Sequence, residues 1–134
     1  QTHPDRGLAP LDDPFEAALK HGVATVRALL DRARWEQGDY RLFYNVVFPP
    51  VAAKDVKGLR VAAQGYRTDT FFGVKPHISP SGRKFLWITG GPQHKPTAPG
   101  TDVSVNLDGW ISVTPMRADL TAHDILADLG ARLG

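Results

Sequence analysis

The side chains that could do chemistry here are few and scattered. Five histidines (His3, His21, His77, His94 and His123) never form an HxxxH or HxH pair, so no stretch reads as a local zinc site. Asp12-Asp13 is an adjacent carboxylate pair of the sort that can hold a hard cation at a strand end. It stands directly before Pro14-Phe15-Glu16, however, and capping a helix is its expected role. Cysteine is absent, which removes thiolate nucleophiles, thiolate metal sites and disulfides together. No GxGxxG follows a strand, and neither GxxxxGK[ST] nor GxSxG occurs. No catalytic residue and no metal ligand is therefore assigned within these residues. One pair has a local role. Asp119 and His123 lie four apart across the start of the last expected helix, where a carboxylate can accept from the imidazole and from free helix N–H groups. They are expected to act as a hinge or oligomer contact, holding the angle at which the chain leaves Pro115.

The elements that would position such groups follow from periodicity. Asp13-Pro14-Phe15-Glu16 reads as a helix start, with Asp13 as cap and Glu16 in the place of a capping-box acid. Behind it Phe15, Leu19, Val23, Val26, Leu30 and Ala33 form one apolar stripe, expected to pack into the core. Tyr40 to Phe48 is almost continuously apolar and predicts a strand covered on both faces, with Asn45 satisfying backbone groups at a strand end. Leu59, Val61 and Ala63 alternate with Arg60, Ala62 and Gln64, a half-exposed strand ending at Gly65. Thr70–Val74 and Lys84–Thr89 flank Ser79-Pro80-Ser81-Gly82 and predict a hairpin. Its aromatics, Phe71, Phe72, Phe85 and Trp87, exceed what a free hairpin needs and call for cover from elsewhere. Residues 90–100 read as loop, Trp110–Thr114 as a short strand ended by Pro115, and Thr121 as the opening of a last helix.

The chain has 134 residues, the size of one ordinary domain, with a hydrophobic content of 42% that excludes a disordered tail. No apolar run approaches the roughly 20 residues that cross a bilayer. Charge is uneven. Residues 54–95 hold eight basic and two acidic residues, whereas residues 96–134 hold two basic and five acidic. A basic middle suits an anionic partner.

One constellation is specific. Gly100-Thr101-Asp102, then Asp108 to Met116 (DGWISVTPM), then Asp119-Leu120-Thr121-Ala122-His123 closely resembles the C-terminal signature of the SurE-type survival-protein nucleotidases, approximately GTD, aromatic-SVTPL and DLTAH. Three more pieces match in order. Tyr44 to Pro49 is similar to the family's NVNFP strand, Gly58-Leu59-Arg60-Val61 with Gln64-Gly65 to its G-[IL]-R-V…QG strand, and Phe85 to Ile88 with Gly90-Gly91 to its YYWLGG strand. The resemblance covers roughly residues 13–134.

The resemblance implies an α/β fold, a three-layer Rossmann-like core portion with a projecting β-hairpin arm and a C-terminal helix. Residues 1–53 would form the second-half portion of the core, 54–100 the basic arm region, and 101–134 the C-terminal strand and helix. It implies a cytoplasmic, metal-dependent 5'/3'-nucleotidase acting on nucleoside monophosphates and sometimes on short polyphosphate, with a divalent metal ion clamping phosphate and activating water. Homodimers or homotetramers would form through the arm and the C-terminal segment. The family's catalytic Asp-Asp pair, with the Ser and Asn that complete its metal site, belongs to an N-terminal half that has no counterpart here. Asp12-Asp13 does not replace it, since no strand precedes the pair. With Gln1 in place of Met and no signal-peptide pattern, the chain is expected to be the later part of a longer protein, its metal ligands outside this sequence. Two other functions compete: a non-catalytic oligomerisation or binding module derived from the family, and, more weakly, a nucleic-acid binder stacking bases on Phe71, Phe72 and Trp87.

Overall fold

The computed structural model describes residues 11–36, 38–68, 72–91 and 95–134. Helix α1 spans Glu16–Arg32. The carboxylate of Asp13 accepts the Phe15 N–H at 2.8 Å, and its carbonyl accepts the Glu16 N–H at 3.2 Å. Glu16 does not reach back as a capping-box acid. It accepts the Ala53 N–H at 2.9 Å instead, tying the helix start to a single 3-10 turn at Ala53–Asp55. His21 adds a second tie: its Nε2 donates to the Ala53 carbonyl at 2.9 Å, which fixes the Nε2-protonated tautomer in the neutral ring.

The direction of α1 overturns the expectation of a core-facing stripe. Phe15, Leu19, Val23, Val26 and Leu30 are each 55–71% exposed, whereas Ala17 and Thr25 are buried. Ala17, His21 and Thr25 recur every four residues and form the inner row. A row of small and hydrogen-bonding side chains lets the helix approach the 3-10 turn closely. Periodicity sets the width of an apolar stripe but carries no information on which neighbour receives it.

Three strands form a mixed sheet, β1 (Leu42–Val47), β2 (Leu59–Val61) and β5 (Ile111–Arg117), and two more form a hairpin, β3 (Phe72–Ile78) and β4 (Lys84–Gly90). The sheet order is β1-β5-β2, with β1 antiparallel and β2 parallel to β5. The last strand in sequence thus lies at the centre of the sheet, and its Ile111 and Val113 are buried together with Ala62, Val105 and Ala17. β1 lies outermost and is not covered on both faces as expected. Leu42, Tyr44 and Val46 are half-buried, while Phe43, Asn45 and Val47 are exposed. In the segment after Gly58 the alternation is also the reverse of that expected, since Ala62 is buried and Val61 is 73% exposed.

β5 does not stop at Pro115. It continues to Arg117, with Pro115 opposite Tyr44. β2 pairs no farther than Val61 opposite Val113, so β5 has a bare edge beyond that point, where a missing N–H is tolerated.

The hairpin forms around the expected turn, but its first strand runs past Val74 to Ile78, with Lys75 opposite Trp87 and a turn closed by the Ser79 N–H to the Arg83 carbonyl at 2.9 Å. One face holds His77, Phe85 and Trp87, with His77 and Phe85 stacked at 5.7 Å. The other holds Phe72, Val74, Ile78, Leu86 and Ile88, all exposed. Phe71 lies outside the described residues.

Helix α2 (Asp102–Leu107) falls in a stretch without an expected helix, and the final helix α3 (Leu126–Leu133) begins later than Thr121. The Thr121 N–H is held by the Asp119 carboxylate at 2.9 Å, so the chain turns there and enters the helix only after Ile125. Ile125, Leu126, Leu129 and Leu133 are exposed. No helix among the described residues is long and apolar enough to cross a membrane.

Candidate functional site

The sequence motifs meet in space, and what joins them is structural. Gln64-Gly65 and Gly100-Thr101-Asp102 stand on either side of the hairpin. Asp102 Oδ1 accepts the Gly65 N–H at 2.8 Å and the Val103 N–H at 2.7 Å, while the Asp102 N–H reaches the Ala63 carbonyl at 2.8 Å. A Cβ on Gly65 would come within 2.9 Å of Thr97 Oγ1 and 3.0 Å of Asp102 Oδ1, so this approach requires glycine. The clamp closes the base of the hairpin and starts α2.

A second junction joins Gly58-Leu59-Arg60-Val61 to Asp108-Gly109-Trp110. The Arg60 guanidinium lies 3.8 Å from the centre of the Trp110 ring. Gly58, at φ +126°, lets that ring pack against it. Lys57 donates to Asp108 at 2.9 Å, holding the Asp108 carboxyl below the usual carboxylate range, with a further hydrogen bond from the Trp110 indole at 3.2 Å. Asn106 then donates to the Val47 carbonyl at 3.1 Å, linking α2 to β1. At the far end of β1 the Tyr44 hydroxyl donates to the Arg34 carbonyl at 2.5 Å, and Arg117 grips both carboxylate oxygens of Glu36 at 2.8 Å.

Asp119 and His123 are brought together as the spacing predicts. His123 Nε2 lies 2.5 Å from Asp119 Oδ2, and Asp119 Oδ1 holds the Thr121 N–H. The His123 ring and the two Thr121 donors pull the Asp119 carboxyl down to about 2. This is a small folded knot between β5 and α3.

Among the described residues no three His, Cys, Asp or Glu side chains gather to hold a metal ion. Asp13 is engaged as a cap, His21 donates to a backbone carbonyl, and His77 stacks on Phe85. His3 and His94 lie outside the described residues. Among the described residues the donors do not fit a divalent ion. Phe72 and Trp87 lie on opposite faces of the hairpin, so they do not build one stacking surface for bases. Missing from the sequence reading were the Gly65–Asp102 clamp and the Arg60–Trp110 stack. They join residues 37 and 50 positions apart, and the only signal for them was that the partners fall in matched motifs.

No family model matches the chain. Curated relatives do. The chain is 68% identical over 124 residues to the 5'-nucleotidase SurE of Cereibacter sphaeroides (strain ATCC 17025 / ATH 2.4.3), covering 92% of this chain and 48% of that protein. It is 61% identical over 121 residues to the 5'-nucleotidase SurE of Ruegeria pomeroyi, covering 90% and 46%. Among solved structures, the Sure protein from Aquifex aeolicus superimposes with a TM-score of 0.63 at 28% identity, over 93% of this chain and 48% of that one. The chain spans about half the length of the curated relatives it matches.

Proposed function

We propose, from the premise that the chain belongs to the SurE family over the half of those proteins that it matches, that it is the C-terminal segment of a metal-dependent phosphomonoesterase hydrolysing nucleoside 5'- and 3'-monophosphates. The observation that carries this is the 68% identity, over nearly the whole chain, to a protein named 5'-nucleotidase SurE. The ordered motifs support it, since the Gly65–Asp102 bond, the Arg60–Trp110 stack and the Asn106–Val47 bond join several of them. In this reading the divalent ion and its ligands belong to residues outside this sequence. The present residues supply the mixed sheet, the arm and the C-terminal knot that brace the catalytic half.

The arm favours assembly as part of the same function. Its aliphatic face and the outer row of α3 are bare in the single chain. Homodimers or homotetramers built through these two segments would cover them.

The test is a phosphatase assay with nucleoside monophosphates and an added divalent metal. The parent protein, containing both halves, is expected to release phosphate, and the 134-residue chain alone is expected to release none. An inert parent protein would overturn the nucleotidase reading. Activity from a preparation whose intact mass equals this chain would overturn the placement of the metal site.

A further inference from the structure

The hairpin has two faces of different chemistry. Successive side chains of a strand point to opposite sides, so Lys75 and His77 of β3 share one face with Phe85 and Trp87 of β4. The register sets Lys75 opposite Trp87 and His77 opposite Phe85. Val74, Ile78, Leu86 and Ile88 all fall on the other face, so an assembly contact that covers these aliphatic residues leaves the aromatic face bare. Phe72 belongs to the aliphatic side, and the rings that can act together are those of His77, Phe85 and Trp87.

These rings form one connected group. His77 and Phe85 stack with centroids 5.7 Å apart and planes inclined by 24°. Trp87 stands at 65° to both, 6.2 Å from His77 and 6.4 Å from Phe85. Their mutual packing leaves Phe85 42% and Trp87 58% exposed, so aromatic surface still faces water. Cations flank it: Lys75 on the same face, and Arg83 and Lys84 at the turn end. Residues 72–90 contain these three cations and no acidic residue. Among the described residues none of the three enters an ion pair. The potential over the rings is therefore positive, with no carboxylate on the hairpin to offset it.

From this arrangement we infer that the aromatic face of the hairpin is a docking surface for single-stranded nucleic acid. Every base has a π-face that can stack on an aromatic ring whatever the sequence, and Lys or Arg beside the rings tracks the phosphodiester backbone. Charge alone would suit any polyanion, but exposed rings set among the cations add a requirement for flat aromatic groups. The 65° between Trp87 and its neighbours offers two differently inclined stacking surfaces. Splayed bases of a single strand can meet both, whereas the parallel stack of a duplex cannot. Rungs two residues apart along a strand are about 7 Å apart, so the face takes about two bases and binds weakly. A Kd of about 1–100 μM is the ordinary range of such sequence-independent contacts. The surface recognises bases and a diester-linked backbone, needs no terminal phosphomonoester, and does not rest on the nucleotidase reading.

The experiment is a fluorescence-anisotropy titration of the 134-residue chain into a dye-labelled deoxythymidine oligonucleotide about twelve nucleotides long. The oligonucleotide carries no terminal phosphomonoester, and EDTA is present, so no nucleotidase reaction contributes. Saturable binding is expected. An abasic oligonucleotide of the same length and charge should bind about tenfold more weakly or worse, the scale of losing one base–aromatic stack. Trp87→Ala should cause a similar loss, and Trp87→Phe should recover most of it. Lys75→Gln should lower the slope of log affinity against log salt by about 0.7. Lys20→Gln, on α1, removes the same charge away from the hairpin and should leave the affinity within about twofold. Circular dichroism of each variant confirms that the fold is kept. Absence of saturable binding by the unaltered chain would overturn the inference, as would equal binding of the abasic strand or full affinity in Trp87→Ala. Weakening by Lys20→Gln equal to that by Lys75→Gln would overturn it as well. Tighter binding of a polyglutamate peptide than of the oligonucleotide would assign the face to an acidic protein instead and overturn it too. None of these outcomes bears on phosphatase activity of the parent protein.

Discussion

Gly65 and Asp102, 37 positions apart, are joined by an N–H to carboxylate hydrogen bond of 2.8 Å, and the bond closes the ring of chain that contains the hairpin. The same oxygen takes the N–H of Val103, so one side chain both shuts the arm's base and starts α2. Losing it leaves two backbone donors without partners in a part-buried place.

Asp102→Ala is therefore expected to lower stability by about 1–3 kcal/mol, the usual effect of orphaning buried donors. Gly65→Ala should have a similar effect for a steric reason, because the new methyl would meet Thr97 Oγ1 at 2.9 Å and Thr101 Cβ at 3.2 Å. Urea unfolding of both variants checks this. Midpoints unchanged from the parent chain would show that the clamp is not what holds the arm's base.

The Asp119 knot gives a pH dependence with a definite sign. Its folded-state carboxyl is lowered from 3.8 to about 2, first by His123 and then by the Thr121 donors. A depressed carboxyl contributes order that is fully present above the ordinary value and is lost as pH falls through the folded one. The C-terminal segment should thus stay ordered at pH 4 and loosen toward pH 2, read from the Thr121 amide resonance. The carboxylate is half-buried at the surface, so the effect is local and weakens with salt. Asp119→Ala should show the loosened spectrum already at neutral pH. A titration of Asp119 near its ordinary value would refute the knot.

On the hairpin, Leu86 and Ile88 lie on one uncovered aliphatic face and are each 70% exposed. Substituting both by Ser removes apolar surface without touching the backbone ladder. Under the proposed assembly, light scattering of the parent protein should show a shift to smaller species. An unchanged mass with an intact fold would rule this face out as an interface.

Ser112 and Thr114 are 1% and 4% exposed, yet neither hydroxyl has a hydrogen-bond partner among the described residues. An unpaired hydroxyl in such a place is unfavourable by about 1–3 kcal/mol. Ser112→Ala and Thr114→Val should leave the isolated chain as stable as before or more so, measured by thermal unfolding. A marked loss would mean that these hydroxyls have partners after all.

Much of this architecture was readable from local spacing, and each departure from it has its own physical cause. The hairpin announced itself through a proline- and glycine-marked turn between two β-rich runs, and Asp119–His123 through a four-residue step. α1 was visible as a helix, but its orientation was not, because the small row of Ala17, His21 and Thr25 gives no signal in a hydrophobic pattern. α2 was missed because six residues, DVSVNL, are too few for a periodicity to show. β5 was cut short because a proline normally stops a ladder, and only the shortness of β2 makes Pro115 acceptable. α3 was placed too early because Thr121 looks like a cap, although its own N–H is the group being capped.

The outward row of α1 has a consequence for how this molecule must be handled in solution. A chain whose largest apolar side chains face water does not have a stability of its own in the strict sense. Where a second molecule shields Phe15, Leu19 and Val23, it enters the folding equilibrium as a reactant and melting temperature becomes a function of concentration. A fall in melting temperature on dilution would mark such a partner, and no change would mark cover from within one longer chain. A dilution series is thus the simplest thermometer for the contacts this chain is built to make.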